Sequence, residues 1–121
     1  MSLWLRVAVQ LAEAHARGGV VICAPVYVKL LAHAAATQRF VDGFLAETGI
    51  AVEFEMDENI WQHAGNSFAA YAQRRRRSAG GAAKRLLVDF IVAAHAQLRA
   101  DRLMTLDADR YRRDFPQLRI A

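Results

Sequence analysis

The sequence predicts an α/β protein with a mostly parallel sheet, because short apolar strands alternate with amphipathic helices along its 121 residues. Val20 to Cys23 is β-branched and apolar, which is typical of a buried parallel strand. Ile50 to Met56 alternates apolar and polar side chains, which indicates an edge strand. The length and a hydrophobic fraction of 55% suit one domain with a single core.

The first half of the chain contains two predicted helices on either side of the first strand. Leu3 to Ala14 places apolar residues at helical spacing, and Gly18 with Gly19 supplies a stop. Pro25 suits the first turn of a second helix that runs through Ala35. A strand-to-helix step is therefore expected after the first strand.

Two further helices are marked by capping residues. Thr37 is expected to cap a helix that ends at Gly49, and Asp57 is expected to cap another. The apolar face of the first helix consists of Phe40, Val41, Phe44 and Leu45, and the second helix has Ile60, Ala64, Phe68 and either Tyr71 or Ala72 at core spacing. The second of these helices runs into Arg74, Arg75, Arg76 and Arg77, and Ser78 to Gly81 is expected to form a loop.

The last third of the chain is predicted to bring two aspartates together. A helix from Asp89 to Ala100 is about 18 Å long. Six extended residues from Arg102 to Asp107, with a short strand at Leu103 to Thr105, return about 20 Å. Asp107 therefore comes back to the edge where Asp89 began, and two carboxylates there suit a divalent cation. The plainer interpretations are a helix-terminal carboxylate for Asp89 and a turn former for Asp107.

The same segment contains three motifs in a fixed order. Asp89 opens an apolar helix that contains A-H-A at positions 94–96, Thr105 to Asp107 matches T-x-D, and Arg110 to Leu118 matches RYRxxFPxL. These motifs resemble the C-terminal part of PIN-domain proteins, especially VapC-like ribonuclease toxins. The match continues more weakly upstream through Val20 to Ala34 and Phe44 to Glu55.

The resemblance implies a PIN-like three-layer fold and metal-dependent RNA cleavage in a toxin-antitoxin system. It implies Mg²⁺ or Mn²⁺ held by Asp89 and Asp107. Thr105 is a further catalytic candidate, because its hydroxyl can hydrogen-bond a ligand or water at the strand end, and the plainer interpretation is a structural threonine. It also implies a cognate antitoxin protein, an RNA substrate and a homodimer as partners.

The chain departs from the family pattern in two places. The usual first strand with its metal-binding Asp is missing, so we expect a single PIN-like domain over residues 1–121 that is N-terminally incomplete. Lys29, in VYVKL, stands where the family has an acidic residue. We therefore expect RNA cleavage to be weakened or lost in this chain. The alternatives are a noncatalytic module that binds an antitoxin or partner toxin, and an unrelated α/β protein with a chance likeness.

Sixteen basic and twelve acidic residues give a net charge of +4. This balance suits RNA, and it also suits an acidic antitoxin peptide. Each of Arg74, Arg75, Arg76 and Arg77 is a candidate phosphate contact without sequence preference, and the alternative is a solvated helix end.

The remaining polar residues point to structure rather than chemistry. The single Cys23 is expected to be a buried thiol, and His95 is expected to be packed rather than catalytic. No apolar run approaches the length of a membrane span, so we expect a cytoplasmic protein.

Overall fold

The computed structural model describes residues 3–78 and 87–121 and shows an α/β protein that is mostly helical, with a two-stranded parallel sheet. The chain divides into two compact units, Met1–Glu55 and Met56–Ala121. The elements in chain order are α1 (Leu3–Arg17), β1 (Val20–Cys23), α2 (Ala24–Leu31), α3 (Gln38–Thr48), β2 (Ile50–Glu53), α4 (Glu58–Arg77), α5 (Leu87–Arg99) and α6 (Asp109–Arg112).

The first unit is built around the parallel pair of β1 and β2. Val20 lies opposite Ile50, and Cys23 lies opposite Glu53. The helix α1 ends where predicted, because Gly18 adopts a φ of 151° that disfavours other residues. The expected strand-to-helix step is also confirmed, since α2 follows β1 directly.

The limits of α2 and α3 show how local hydrogen bonds define a helix. The N–H groups of Ala32 and His33 donate hydrogen bonds to the carbonyl oxygens of Lys29 and Leu30, three residues earlier. These bonds form a tighter final turn, so α2 ends before the predicted limit at Ala35. The cap of α3 is confirmed, because Thr37 Oγ1 accepts a hydrogen bond from the Phe40 N–H at 3.1 Å. Gly49 ends α3 with a left-handed φ of 71°.

The second unit packs α4 against α5 around aromatic rings. Asp57 caps α4 as predicted, because its Oδ1 accepts a hydrogen bond from the Ile60 N–H at 3.2 Å. Phe90 of α5 is fully buried and contacts the ring of Phe68 edge-on, with centroids 5.1 Å apart. The other buried side chains of this core include Tyr71, Ala93, Ala96, Tyr111, Phe115 and Leu118.

The predicted strand at Leu103 to Thr105 is wrong in extent. Within the described residues, Leu103 forms only an isolated parallel bridge with Ile120. Its N–H donates to the Arg119 carbonyl at 2.8 Å, and its carbonyl accepts from the Ala121 N–H at 2.9 Å. The Thr105 hydroxyl instead accepts a local bond from the Asp107 N–H, a side-chain interaction that competes with a strand ladder.

Two further expectations concern the loop after α4 and the absence of a membrane span. The loop expected at Ser78 to Gly81 lies outside the described residues apart from Ser78, which follows the last residue of α4. In the described part of the chain, none of the helices combines the length and the apolar character needed to span a membrane.

Candidate functional site

Asp89 lies in the first turn of α5 and is one of the most buried charged residues described. Only 5% of the residue is exposed, and the fully buried Phe90 follows it in the core. A carboxylate in the first turn interacts favourably with the positive end of the helix dipole. Burying a carboxylate without a partner costs desolvation free energy, so the groups around Asp89 decide its role.

Asp107 is held in place by the backbone around it. Its N–H donates to Thr105 Oγ1 at 3.1 Å, and its Oδ1 accepts from the Arg110 N–H at 3.3 Å. The Asp107 carbonyl accepts from the same N–H at 3.3 Å. Thr105 and Asp107 therefore shape the turn that leads into α6, as the plainer interpretation of the sequence expects.

The guanidinium of Arg110 joins the two aspartates. Its Nη1 lies 3.5 Å from Asp89 Oδ2, and its Nε lies 3.3 Å from Asp107 Oδ2. The Asp89 side chain is 7% exposed, whereas those of Asp107 and Arg110 are 57% and 46% exposed. The structure thus brings both predicted carboxylates to one cation, and that cation is a side chain of this protein. We call Asp89, Asp107 and Arg110 the carboxylate–arginine cluster.

The carboxylate–arginine cluster does not fit a tightly held divalent ion. Mg²⁺ and Mn²⁺ are hard cations that favour six oxygen ligands. In residues 3–78 and 87–121, no group of three or more His, Cys, Asp or Glu side chains is arranged to hold a metal. Arg110 also neutralises both carboxylates and would repel a cation placed between them. Lys29, the other departure noted in the sequence, is exposed on α2.

The role of Arg110 was missed in the sequence, where it stands only as the first residue of the match to RYRxxFPxL. Its spacing of three residues from Asp107 is a signal, because residues at this separation face each other on a helical turn. The spacing does not reveal Asp89 as the second partner, since that contact joins residues 21 positions apart.

The four arginines at the end of α4 are not equivalent. Arg74 forms an ion pair with Asp114, whose side chain is only 2% exposed. Arg75 is half-buried and takes part in an interaction of its own. Arg76 and Arg77 are exposed to solvent. Arg74 thus stabilises the second unit, and the exposed pair is the better candidate for contact with an anionic partner.

The remaining polar candidates are structural. His95 is 4% exposed and engaged in an interaction within the protein, as expected for a packed histidine. Cys23 is a free thiol with 1% exposure, and burial, with a smaller effect of nearby Glu53, raises its pKa. A raised thiol pKa disfavours the nucleophilic thiolate at neutral pH, so Cys23 does not fit a catalytic role.

A cavity of about 260 Å³ in the second unit lies at the other end of α5 from Asp89. It is lined by Ala96, Gln97, Ala100, Asp101, Gln117, Leu118 and Arg119, and none of the three cluster residues contributes to it. The carboxylate–arginine cluster therefore lies apart from this cavity.

No family model, curated protein or solved structure matches the chain. The likeness to PIN-domain proteins therefore depends on the motif residues in the sequence.

Proposed function

We propose that this protein is a homologue of the PIN-domain, VapC-like toxins, with a PIN-like fold and an ancestral activity of metal-dependent RNA cleavage that is weakened or lost. The observation that carries this proposal is the convergence of Asp89 and Asp107 on the guanidinium of Arg110. These two residues occupy the two acidic positions that the sequence motifs retain. Their nearness is what a former metal site requires.

The same contact supports the loss of activity. In such enzymes a divalent ion supplies activated water and stabilises negative charge on the phosphate. Here the residues that would hold the ion are already paired with a positive side chain. We expect tight Mg²⁺ or Mn²⁺ binding to require the removal of Arg110. Its removal alone is not expected to be enough, because two carboxylates are too few ligands for such an ion.

We propose RNA, a cognate antitoxin and a second copy of the chain as partners, in the cytoplasm. The support for an anionic partner is the net charge of +4 together with the exposed Arg76 and Arg77. Phosphate contacts by these arginines do not require a metal, so RNA binding is expected to persist after the loss of cleavage.

The test is Mn²⁺ binding, measured by titration calorimetry and by electron paramagnetic resonance of the free ion. We expect weak binding by the unmodified chain and tighter binding by Arg110→Ala, which removes the competing cation. Arg112→Ala is the matched control, because Arg112 lies on the same short helix and pairs with Asp109 instead. Equal Mn²⁺ affinity in both variants would contradict the proposal.

A second variant tests the buried carboxylate of the cluster. Asp89→Asn in the Arg110→Ala background should abolish the gain in Mn²⁺ affinity, because it removes the charge of the carboxylate that Arg110 otherwise pairs with. An undiminished gain would count against Asp89 as a former metal ligand.

A noncatalytic protein-interaction module, which binds an antitoxin or partner toxin, is the second candidate. It is favoured by large apolar side chains that remain exposed in both units, among them Val28, Phe40, Phe44, Phe54, Trp61 and Leu106. RNA affinity separates the two candidates. If the folded chain binds RNA no better than an Arg76→Ala, Arg77→Ala double variant, the interaction module is the better explanation.

A further inference from the structure

The helix α3 has two faces with apolar side chains, and only one of them is used inside its unit. Val41 and Leu45 are 5% and 6% exposed and form the inner face. Phe40 and Phe44 lie on the adjacent side, about 100° round the helix, and are 65% and 49% exposed. Two large rings one helical turn apart form a ridge on the surface, and such a ridge is a feature of protein interfaces.

Gly43 lies beside this ridge and has no role within the described part of the chain. A glycine in the middle of a helix costs about 1 kcal/mol relative to alanine. Gly43 does not have a positive φ, and no described atom lies within 4 Å of where a Cβ would stand. The surface is also grooved at this point, with a cavity of about 580 Å³ lined by Thr37, Arg39, Phe40, Gly43, Phe44 and Glu47. We call the six residues that line this groove the α3 face.

The charges of the α3 face oppose the dipole of their own helix. Arg39 lies in the first turn of α3, near its positive end, and Glu47 lies in the last turn, near its negative end. Each charge is therefore at the less favourable end. Arg39 and Glu47 are also equidistant from Gly43, four positions on either side.

We propose that the α3 face docks against the α3 face of a second copy of this chain, with the two helices antiparallel and a two-fold axis passing near Gly43. Glu47 of the partner subunit then lies beside Arg39 and near the positive end of α3, and the reciprocal pair forms at the other end. The exposed phenylalanine rings of each copy pack beside Gly43 of the other, where the absence of a side chain leaves a notch in the surface. One arrangement therefore accounts for the exposed rings, the glycine and the misplaced charges.

The α3 pair gives a surface to the homodimer of the proposed function, and it involves residues of α3 and its cap only. Its test measures assembly and not cleavage, so the failure of either proposal can be recognised without the other.

The first experiment exchanges charges. Arg39→Glu gives a face with two acidic ends, and Glu47→Arg gives a face with two basic ends. The dimer dissociation constant of each variant alone should be about tenfold higher than that of the unmodified chain, because two attractive charge pairs become repulsive. An equimolar mixture of the two should associate again as a heterodimer, since both pairs are then attractive. Sedimentation equilibrium at micromolar concentration measures this, with Arg17→Glu on α1 as the control.

The mixture makes the result decisive. Recovery only on mixing supports the antiparallel α3 pair, because a folding defect in either variant would not be cured by the other. Association that is unchanged in both single variants would overturn the proposal, as would an unmodified chain that is monomeric throughout. A monomer would mean that the α3 face is covered by a different partner or by another part of this chain.

The second experiment fills the notch. Gly43→Leu places a side chain in space that is open in the single chain, so it should raise the thermal stability of the monomer while weakening dimerisation about tenfold or more. Gly65→Leu is the matched control, because Gly65 is an exposed glycine within α4 that also has open space around it. A Gly43→Leu chain that dimerises as well as the Gly65→Leu chain would overturn the proposal.

Discussion

Replacing Arg110 with alanine tests whether the carboxylate–arginine cluster is a structural ion pair. At 3.5 Å and an effective dielectric constant of about 20, the gross attraction between unit charges is about 5 kcal/mol. Much of this is offset by hydration that the charges would otherwise keep, and Arg110 is 46% exposed. Breaking a fully buried pair costs about 3–5 kcal/mol, so for this half-exposed pair we expect a loss of about 1–2 kcal/mol.

The assay is a double-mutant cycle measured by urea denaturation and circular dichroism at neutral pH. Arg110→Ala leaves the Asp89 carboxylate buried without this partner, whereas the combination with Asp89→Asn removes both charges. The double variant should therefore be less destabilised than the sum of the single variants, with a coupling of about 1 kcal/mol. The parallel cycle with Asp107→Asn should give about 0.3–0.5 kcal/mol, because that carboxylate is exposed.

The ordering of the two couplings is the critical result. If Arg110 coupled to Asp107 as strongly as to Asp89, or to neither, burial would not be the property that makes the cluster stable. The interpretation of Arg110 as the internal cation of this site would then fail.

Four further outcomes follow from the second unit and from β1. The double variant Arg76→Ala, Arg77→Ala should bind unrelated single-stranded RNAs more weakly and to an equal degree, as measured by fluorescence anisotropy. If each arginine contacts one phosphate, the slope of log affinity against log salt should fall by about 1.4. An unchanged slope would mean that the two arginines are only a solvated helix end. Arg74→Ala should destabilise the protein by about 1–2 kcal/mol in urea, because Asp114 is buried, whereas Arg77→Ala alone should change stability by less than about 0.5 kcal/mol. Because burial raises the Cys23 pKa above its ordinary value of 9.0, iodoacetamide should label the folded chain more slowly than the urea-unfolded chain, as followed by mass spectrometry. The stabilisation from burying this neutral thiol is complete below the unfolded-state pKa and is lost as pH rises through the folded-state pKa, so Cys23→Ala should flatten the decline of stability at alkaline pH.

The helix limits that depend on one or two neighbouring residues were predicted best. Thr37 and Asp57 each cap a helix with their own side chain, and Gly49 ends one through its own φ. These signals act over three or four residues, so they are visible in the sequence. The strand expected at Leu103 was overestimated, because a ladder needs a partner strand, and only Ile120 pairs with it within the described residues.

The sequence by itself determined the α/β class, the order of the elements from α1 to α5, and the approach of Asp107 to the start of α5. Chain length and element type set that approach, since a helix and an extended return of equal length bring their ends together. Only the tertiary structure decided that Arg110 lies between the two aspartates and that Arg74 pairs with Asp114, 40 positions away. Which charges meet across such separations depends on how the faces of α4, α5 and α6 pack. Packing is a property of the whole core, and no local pattern in the sequence specifies it.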